Sequence, residues 1–115
     1  MPLLKIQVSE EVSSEKVEVL LERGTDLVVD LMGKPRGVVQ VVVEPGMAMA
    51  FGGEAGNSAL VELRSLGLPE DMARELSAGI CGMLEGELGV PAERVFINFF
   101  DFPRPMWGWD GKTFG

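Results

Sequence analysis

The stretch Pro2-Leu3-Leu4-Lys5-Ile6-Gln7-Val8 decides how the rest of the chain is read. Leu4, Ile6 and Val8 alternate with Lys5 and Gln7, which is the period of a strand with one face on a core. A proline opens the run. Proline has no N–H to give to a sheet ladder, so it belongs at a strand's first position or at its edge. A first strand is expected over 2–8. Pro2 also carries chemical interest, because removal of Met1 would leave it as the N-terminus with a free secondary amine. The chain offers few other bases or nucleophiles, with no His, no Tyr and a single Cys.

Outward from this strand the chain repeats one plan. Ser13 or Ser14 can cap a helix with Glu15 in its first turn. Val17, Leu20, Leu21, Leu27, Val28 and Leu31 then fall on one face at helical spacing. Gly33 can end that helix, with Pro35 as a stop. Val38 to Val43 is nearly continuous apolar and reads as a strand covered on both faces. After the turn Glu44-Pro45-Gly46 and a joining segment 47–53, alternation returns over 58–66. Pro69 suits a first helical position, followed by Glu70 and Asp71. Met72, Leu76, Ile80, Met83, Leu84 and Leu88 form the second apolar stripe, and Gly89 and Pro91 close it. Val95 to Phe100 is the last long strand. Gly33-Lys34-Pro35 before one strand echoes Gly89-Val90-Pro91 before the other. The chain therefore reads as β-α-β twice, with right-handed crossovers. Its tail, 102–115, is rich in aromatics: Phe102, Trp107, Trp109 and Phe114.

Composition bounds the function. A chain of 115 residues is expected to form one domain, residues 1–115. Forty-six per cent of those residues are hydrophobic, more than a small monomer hides easily, so an oligomer is expected. The net charge of −8 argues against nucleic acid and against an anionic membrane surface as partners. No apolar run reaches membrane-spanning length. The N-terminus lacks the pattern of a signal peptide, and one Cys builds no disulfide framework, so a cytoplasmic location is expected.

Several chemistries are excluded by residue type. A Ser or Cys nucleophile paired with His is impossible without a His. Only scattered carboxylates remain for a metal, so no metal or other cofactor is expected. Gly52-Gly53 is too short for a phosphate-binding fingerprint. Cys81 lies beside the second apolar stripe and reads as packing. Lys34 stands out, since it follows a helix-ending glycine and precedes the second strand. It is either a cation at a helix C-terminus or an anchor for a carboxylate beside the start of strand one.

Taken together, these residues resemble the macrophage migration inhibitory factor (MIF) family of the tautomerase superfamily. The matching stretches are Met1-Pro2-Leu3, Gly33-Lys34-Pro35, Met49-Ala50-Phe51-Gly52-Gly53, Leu63-Arg64-Ser65-Leu66-Gly67, Cys81-Gly82-Met83-Leu84, Arg94 through Asp101, and Gly108-Trp109 through Thr113-Phe114. Their order and spacing together are specific. The resemblance implies an α+β fold, in which two β-α-β units form a four-stranded mixed sheet under two antiparallel helices. It also implies a homotrimer in which short extra strands complete the neighbour's sheet.

The resemblance implies a chemistry as well. The N-terminal proline, Pro2, would be a base that moves a proton between carbon and oxygen. Substrates would be aromatic 2-oxo acids such as phenylpyruvate, or dopachrome. Lys34 would bind the substrate carboxylate or polarise its oxygen. Ser65 and the backbone N–H of Leu66 would complete the polar cradle, and Trp109 and Phe114 the apolar walls. Phe96 and Asn98 would reach in from an adjacent subunit. Phe96 stands where better-known animal members have a tyrosine, and Trp107 replaces a smaller aliphatic residue at the mouth. The Cys-x-x-Cys of those members corresponds to Ser58 and Val61, so thiol–disulfide exchange is not expected. The rival reading is a released signalling protein that binds a protein receptor through its surface.

Overall fold

Two glycines set the plan of the molecule. In the computed structural model, which describes residues 1–115, Gly33 (φ 65°) and Gly89 (φ 68°) both adopt the left-handed conformation and end the two long helices. Their N–H groups donate back to Val29 and to Glu85. A side chain at either position would meet the steric penalty that glycine avoids. Strand β1 (Leu3–Val8) leads into α1 (Ser14–Met32), and β2 (Gln40–Glu44) follows. Two short strands, β3 (Ala50–Phe51) and β4 (Glu54–Ala55), form a hairpin. Then come β5 (Ala59–Leu66), α2 (Ala73–Leu88) and β6 (Val95–Phe102). A second hairpin, β7 (Gly108–Trp109) with β8 (Lys112–Thr113), ends the chain.

The four long strands form one sheet in the order β2-β1-β5-β6. The β1–β2 and β5–β6 pairs are parallel and the central β1–β5 pair is antiparallel. Each parallel pair is joined through a helix, as a parallel connection requires. Both helices lie over one face of the sheet, and the antiparallel centre makes them antiparallel to each other. This is the mixed α+β sheet expected from the sequence.

The core lies between that face and the helices. Leu4, Ile6, Val61 and Leu63 of the sheet, with Leu20, Val28, Leu76, Ile80 and Leu84 of the helices, are fully buried. Ser13 caps α1, its Oγ accepting from the Lys16 N–H at 3.2 Å. Gly24 belongs to the buried row Leu20, Gly24, Val28, Met32. A Cβ there would sit 3.2 Å from both Leu4 Cδ2 and Val41 Cγ1, so glycine lets α1 approach the sheet closely.

Three boundaries and two burials differ from expectation. Val38 ends a single 3-10 turn, Arg36–Val38, and β2 begins only at Gln40. Nor is β2 covered on both faces: it is an edge strand paired with β1 alone, and Val41 to Val43 are only half-buried. Pro69 precedes a 3-10 turn, Glu70–Met72, and α2 proper starts at Ala73. The last strand runs on to Phe102 because its ladder with β5 continues through Asp101 and Phe102. Cys81 is half-buried rather than sealed in the core. Burial first, then the Glu85 carboxylate, pushes its thiol pKa up, away from a reactive thiolate.

Candidate active site

The N-terminal corner of the sheet is where chemistry-bearing residues converge. Pro2 is fully buried just before β1, and its carbonyl accepts the Gln40 N–H at 3.0 Å. This bond and the pairing of Leu3 with both Gln40 and Arg64 fix the start of the strand from two sides. Met1 precedes Pro2 in the structure, so the proline nitrogen is an amide here. The terminal amine on Met1 samples the same surroundings. Burial, and then the charge of Lys34, hold its pKa below the ordinary range of a terminal amine.

A cleft of about 300 Å³ opens on this corner, lined by Met1 and Pro2, by the turn Gly37 to Gln40, and by Trp107, Gly108 and Trp109. The tail builds its far wall. Asp110 (φ 55°) and Gly111 (φ 75°) turn the β7–β8 hairpin, and the Phe114 N–H donates to the Trp107 carbonyl at 3.3 Å. Positive φ at both central residues is what a two-residue hairpin turn of type I′ demands. Trp109 and Phe114 stack, with ring centroids 5.8 Å apart and planes 6° from parallel. Trp107 meets Phe102 edge-on at 5.6 Å. Such contacts hold large rings in place. Arg104 ties the tail together, its Nε donating to the Phe114 carbonyl at 3.0 Å.

Lys34 follows the helix-ending Gly33, is half-buried, and forms no ion pair. A cation without a carboxylate partner beside a buried N-terminus favours the neutral form of an amine. Ser65 is fully buried, its Oγ donating to the Leu66 carbonyl at 3.2 Å. Both residues sit near the end of β5 that lies against the start of β1.

Phe96 and Asn98 are elsewhere. Phe96 pairs with Leu60, and Leu60 with Gln7, whereas Leu3 lies opposite Arg64. The gap from the Pro2 row to the Phe96 row is thus about five residues of strand, roughly 17 Å. Phe96 is 63% exposed and packs on Phe51 with centroids 4.7 Å apart. That contact borders a small apolar recess of about 170 Å³, which also includes Met49 and Leu60. Arg94 locks the neighbouring hairpin by donating to the carbonyls of Asn57 at 3.0 Å and Glu54 at 3.1 Å. One chain therefore brings Pro2, Trp107 and Trp109 to one cleft, with Lys34 and Phe114 beside it. It does not bring Phe96 or Asn98 there.

The turn from Gly37 to Val39 was not foreseen as a wall of the cleft, because the apolar run there reads as a strand. Arg64 was also missed, although it stands directly across from Leu3. A charged residue on the solvent-side alternation of a strand gives no signal of its own in sequence.

The sequence profile described as macrophage migration inhibitory factor (MIF) matches residues 1–115. The macrophage migration inhibitory factor of Rattus norvegicus is 34% identical over 98 residues, 84% of this chain and 85% of that protein. A macrophage migration inhibitory factor homolog of Trichuris trichiura is 33% identical over 108 residues, 92% of this chain and 95% of that one. Among solved structures, a macrophage migration inhibitory factor homologue from Prochlorococcus marinus superposes with a TM-score of 0.93. It is 36% identical, covering 98% of this chain and 99% of that one. The structure of Pt0534 inactivated by 2-oxo-3-pentynoate superposes with a TM-score of 0.85 at 27% identity, covering 96% and 93% of the two chains. With a match that runs from Met1 to Gly115 and a sheet and helices in the same arrangement, this chain belongs to the macrophage migration inhibitory factor family, within the tautomerase superfamily.

Proposed function

We propose that the protein is a keto–enol tautomerase of 2-oxo acids, phenylpyruvate-like or dopachrome, with the Pro2 amine of the Met1-processed chain as general base. The observation that carries this reading is the placement of Pro2, buried at the foot of a cleft with two tryptophans and within the electrostatic reach of an unpaired Lys34. A neutral secondary amine takes a proton from the carbon next to the substrate's carbonyl. The electron pair of the broken C–H bond moves to the carbonyl oxygen, which becomes an enolate and then takes a proton to give the enol. Lys34 binds the substrate carboxylate or steadies the negative oxygen, and its charge also keeps the amine deprotonated. The proline ring fixes the direction of the amine lone pair, so little freedom is lost in positioning it.

The inactivator of Pt0534 is itself a 2-oxo acid, which supports this substrate class. Ser65 and the Leu66 N–H supply further polar contacts, and Trp107, Trp109 and Phe114 the apolar walls. Phe96 and Asn98 act on the cleft of an adjoining subunit in a homotrimer, since their own chain holds them far from Pro2. The names of the animal relatives carry a second reading, a signalling protein acting through its surface. The convergence of Pro2, Lys34 and the tryptophans favours the enzyme.

Pro2→Gly tests the reading. It replaces a fixed secondary amine with a flexible primary one at a strand start. Phenylpyruvate tautomerisation should fall by about 10²–10⁴-fold, with circular dichroism and melting temperature close to wild type. Equal rates in the two proteins would remove Pro2 from the mechanism.

A further inference from the structure

Beside the Pro2 cleft lies a second recess of about 280 Å³, lined by Leu3, Phe102, Met106 and Arg64. The two share Trp107 and Gly108 as walls, so they adjoin along the sheet corner. No carboxylate lines either part, although the chain carries a net charge of −8. Arg64 is the one charged side chain that lines the second part. It pairs with Leu3, the residue after Pro2, across the β1–β5 ladder. Strand spacing and rise then put its Cα about 6 Å from that of Pro2.

The guanidinium is held but not used up. One NH₂ group donates to Glu62 Oε2 at 3.1 Å, and the group lies 5.0 Å from the centre of the Phe100 ring. Its Nε and its other terminal nitrogen have no partner in the chain. Glu62 and Phe100 thus hold the fork and leave two of its nitrogens free to donate. A planar guanidinium presents paired donors that match a carboxylate, and it stays charged at any working pH.

We propose that Arg64 is the receptor for a second anionic group, and that the cleft prefers 2-oxo dicarboxylic acids over monocarboxylic ones. The proposal rests on the tautomerase reading for the reaction and on the adjoining recesses for the selectivity. Lys34 takes the carboxylate beside the reacting carbonyl. Arg64, a short reach away along the same corner, takes the distal one. Phe102 and Trp107 flank it with apolar surface. Arg64 is therefore a specificity-determining residue rather than part of the proton transfer.

Binding can be read without turnover. Tryptophan fluorescence of the Met1-processed protein, reported by Trp107 and Trp109, should be titrated with succinate and with butyrate, which have equal carbon number and one charge of difference. Succinate should bind about tenfold more tightly in wild type, a factor set by a partly exposed charged contact. In Arg64→Gln that ratio should fall to about threefold or less, and Arg64→Lys should restore part of it. The ratio of kcat/KM for oxaloacetate to that for phenylpyruvate should fall in parallel. Ratios that match in wild type and Arg64→Gln would overturn the proposal, as would equal affinity for the two acids in wild type. Selective succinate binding with no tautomerisation of either keto acid would sink the enzyme reading and leave the dianion site standing. Tautomerisation with no preference would do the reverse.

Discussion

On the helix-covered face of the sheet, Leu4, Ile6, Val8, Val61 and Leu63 are at most 1% exposed, while on the opposite face Phe96 keeps 63% of its surface and Phe100 36%. The two sets alternate along the same strands, so backbone geometry is common to both. What differs is the cover. The helices close one face completely, and within the chain only the tail at one corner and Phe51 of the β3–β4 hairpin at another reach across the other. Exposed aromatics in a chain with 46% hydrophobic residues fit the proposed homotrimer, in which further copies would cover this face. Substitutions on the two faces should therefore read out differently.

The largest effect expected tests the open face as a shared site. Pro2→Gly subunits lack the base, and Asn98→Trp subunits keep the base but obstruct the neighbour's cleft. Each parent should be nearly inactive. Unfolding and refolding them together should create clefts that pair an intact Pro2 with an intact Asn98. Activity should then rise by about 10²-fold or more over either parent. Mixed assemblies seen by native mass spectrometry with activity still at the parental level would place the whole site within one subunit.

A smaller effect separates the faces by stability. Leu63→Ala on the covered face removes a fully buried side chain and should cost about 3 kcal/mol in urea unfolding. Phe96→Ala on the open face should instead weaken assembly, seen as elution that depends on protein concentration. Equal, concentration-independent losses for the two variants would erase the distinction between the faces.

The smallest effect is a shift in pH. Burial and Lys34 both lower the pKa of the Met1 amine at this corner, and the Pro2 amine of the processed chain is expected to meet the same two causes. The base works when neutral, so kcat/KM should decline as pH falls through the amine's pKa. Lys34→Ala removes a charge that disfavours the protonated amine, so the pKa should rise and the acid limb should move to higher pH. Burial is the larger cause and survives the substitution, so the shift should be partial. An acid limb that stays in place would leave Lys34 with no electrostatic hold on the base.

Much of this architecture was legible in the sequence because local signals agreed with one another. The alternation Leu4, Ile6, Val8 and the two Gly–x–Pro helix exits give both β-α-β units without any knowledge of contacts. The cover of β2 was not legible, since Val41 to Val43 look the same whether a helix or another subunit is to pack on them. Pro2 and Lys34 could be singled out as unusual residues, and their closeness followed from strand adjacency. The roughly 17 Å between the rows of Pro2 and Phe96 could not be read locally. It depends on the register of β1, β5 and β6 together. Arg64 was hidden for a related reason: its recess exists only once the tail around Met106 and Trp107 folds over the strand.

The central claim is that a free secondary amine at Pro2 performs the proton transfer. It is tested most directly by assaying phenylpyruvate tautomerisation with two preparations of the wild-type chain, one with Met1 removed and one with Met1 retained, each verified by intact mass. The processed protein should turn over substrate, and the protein with an amide at Pro2 should fall to the background rate. Equal activity in both would contradict the claim, because the amide nitrogen of a retained Met1–Pro2 bond cannot accept the proton.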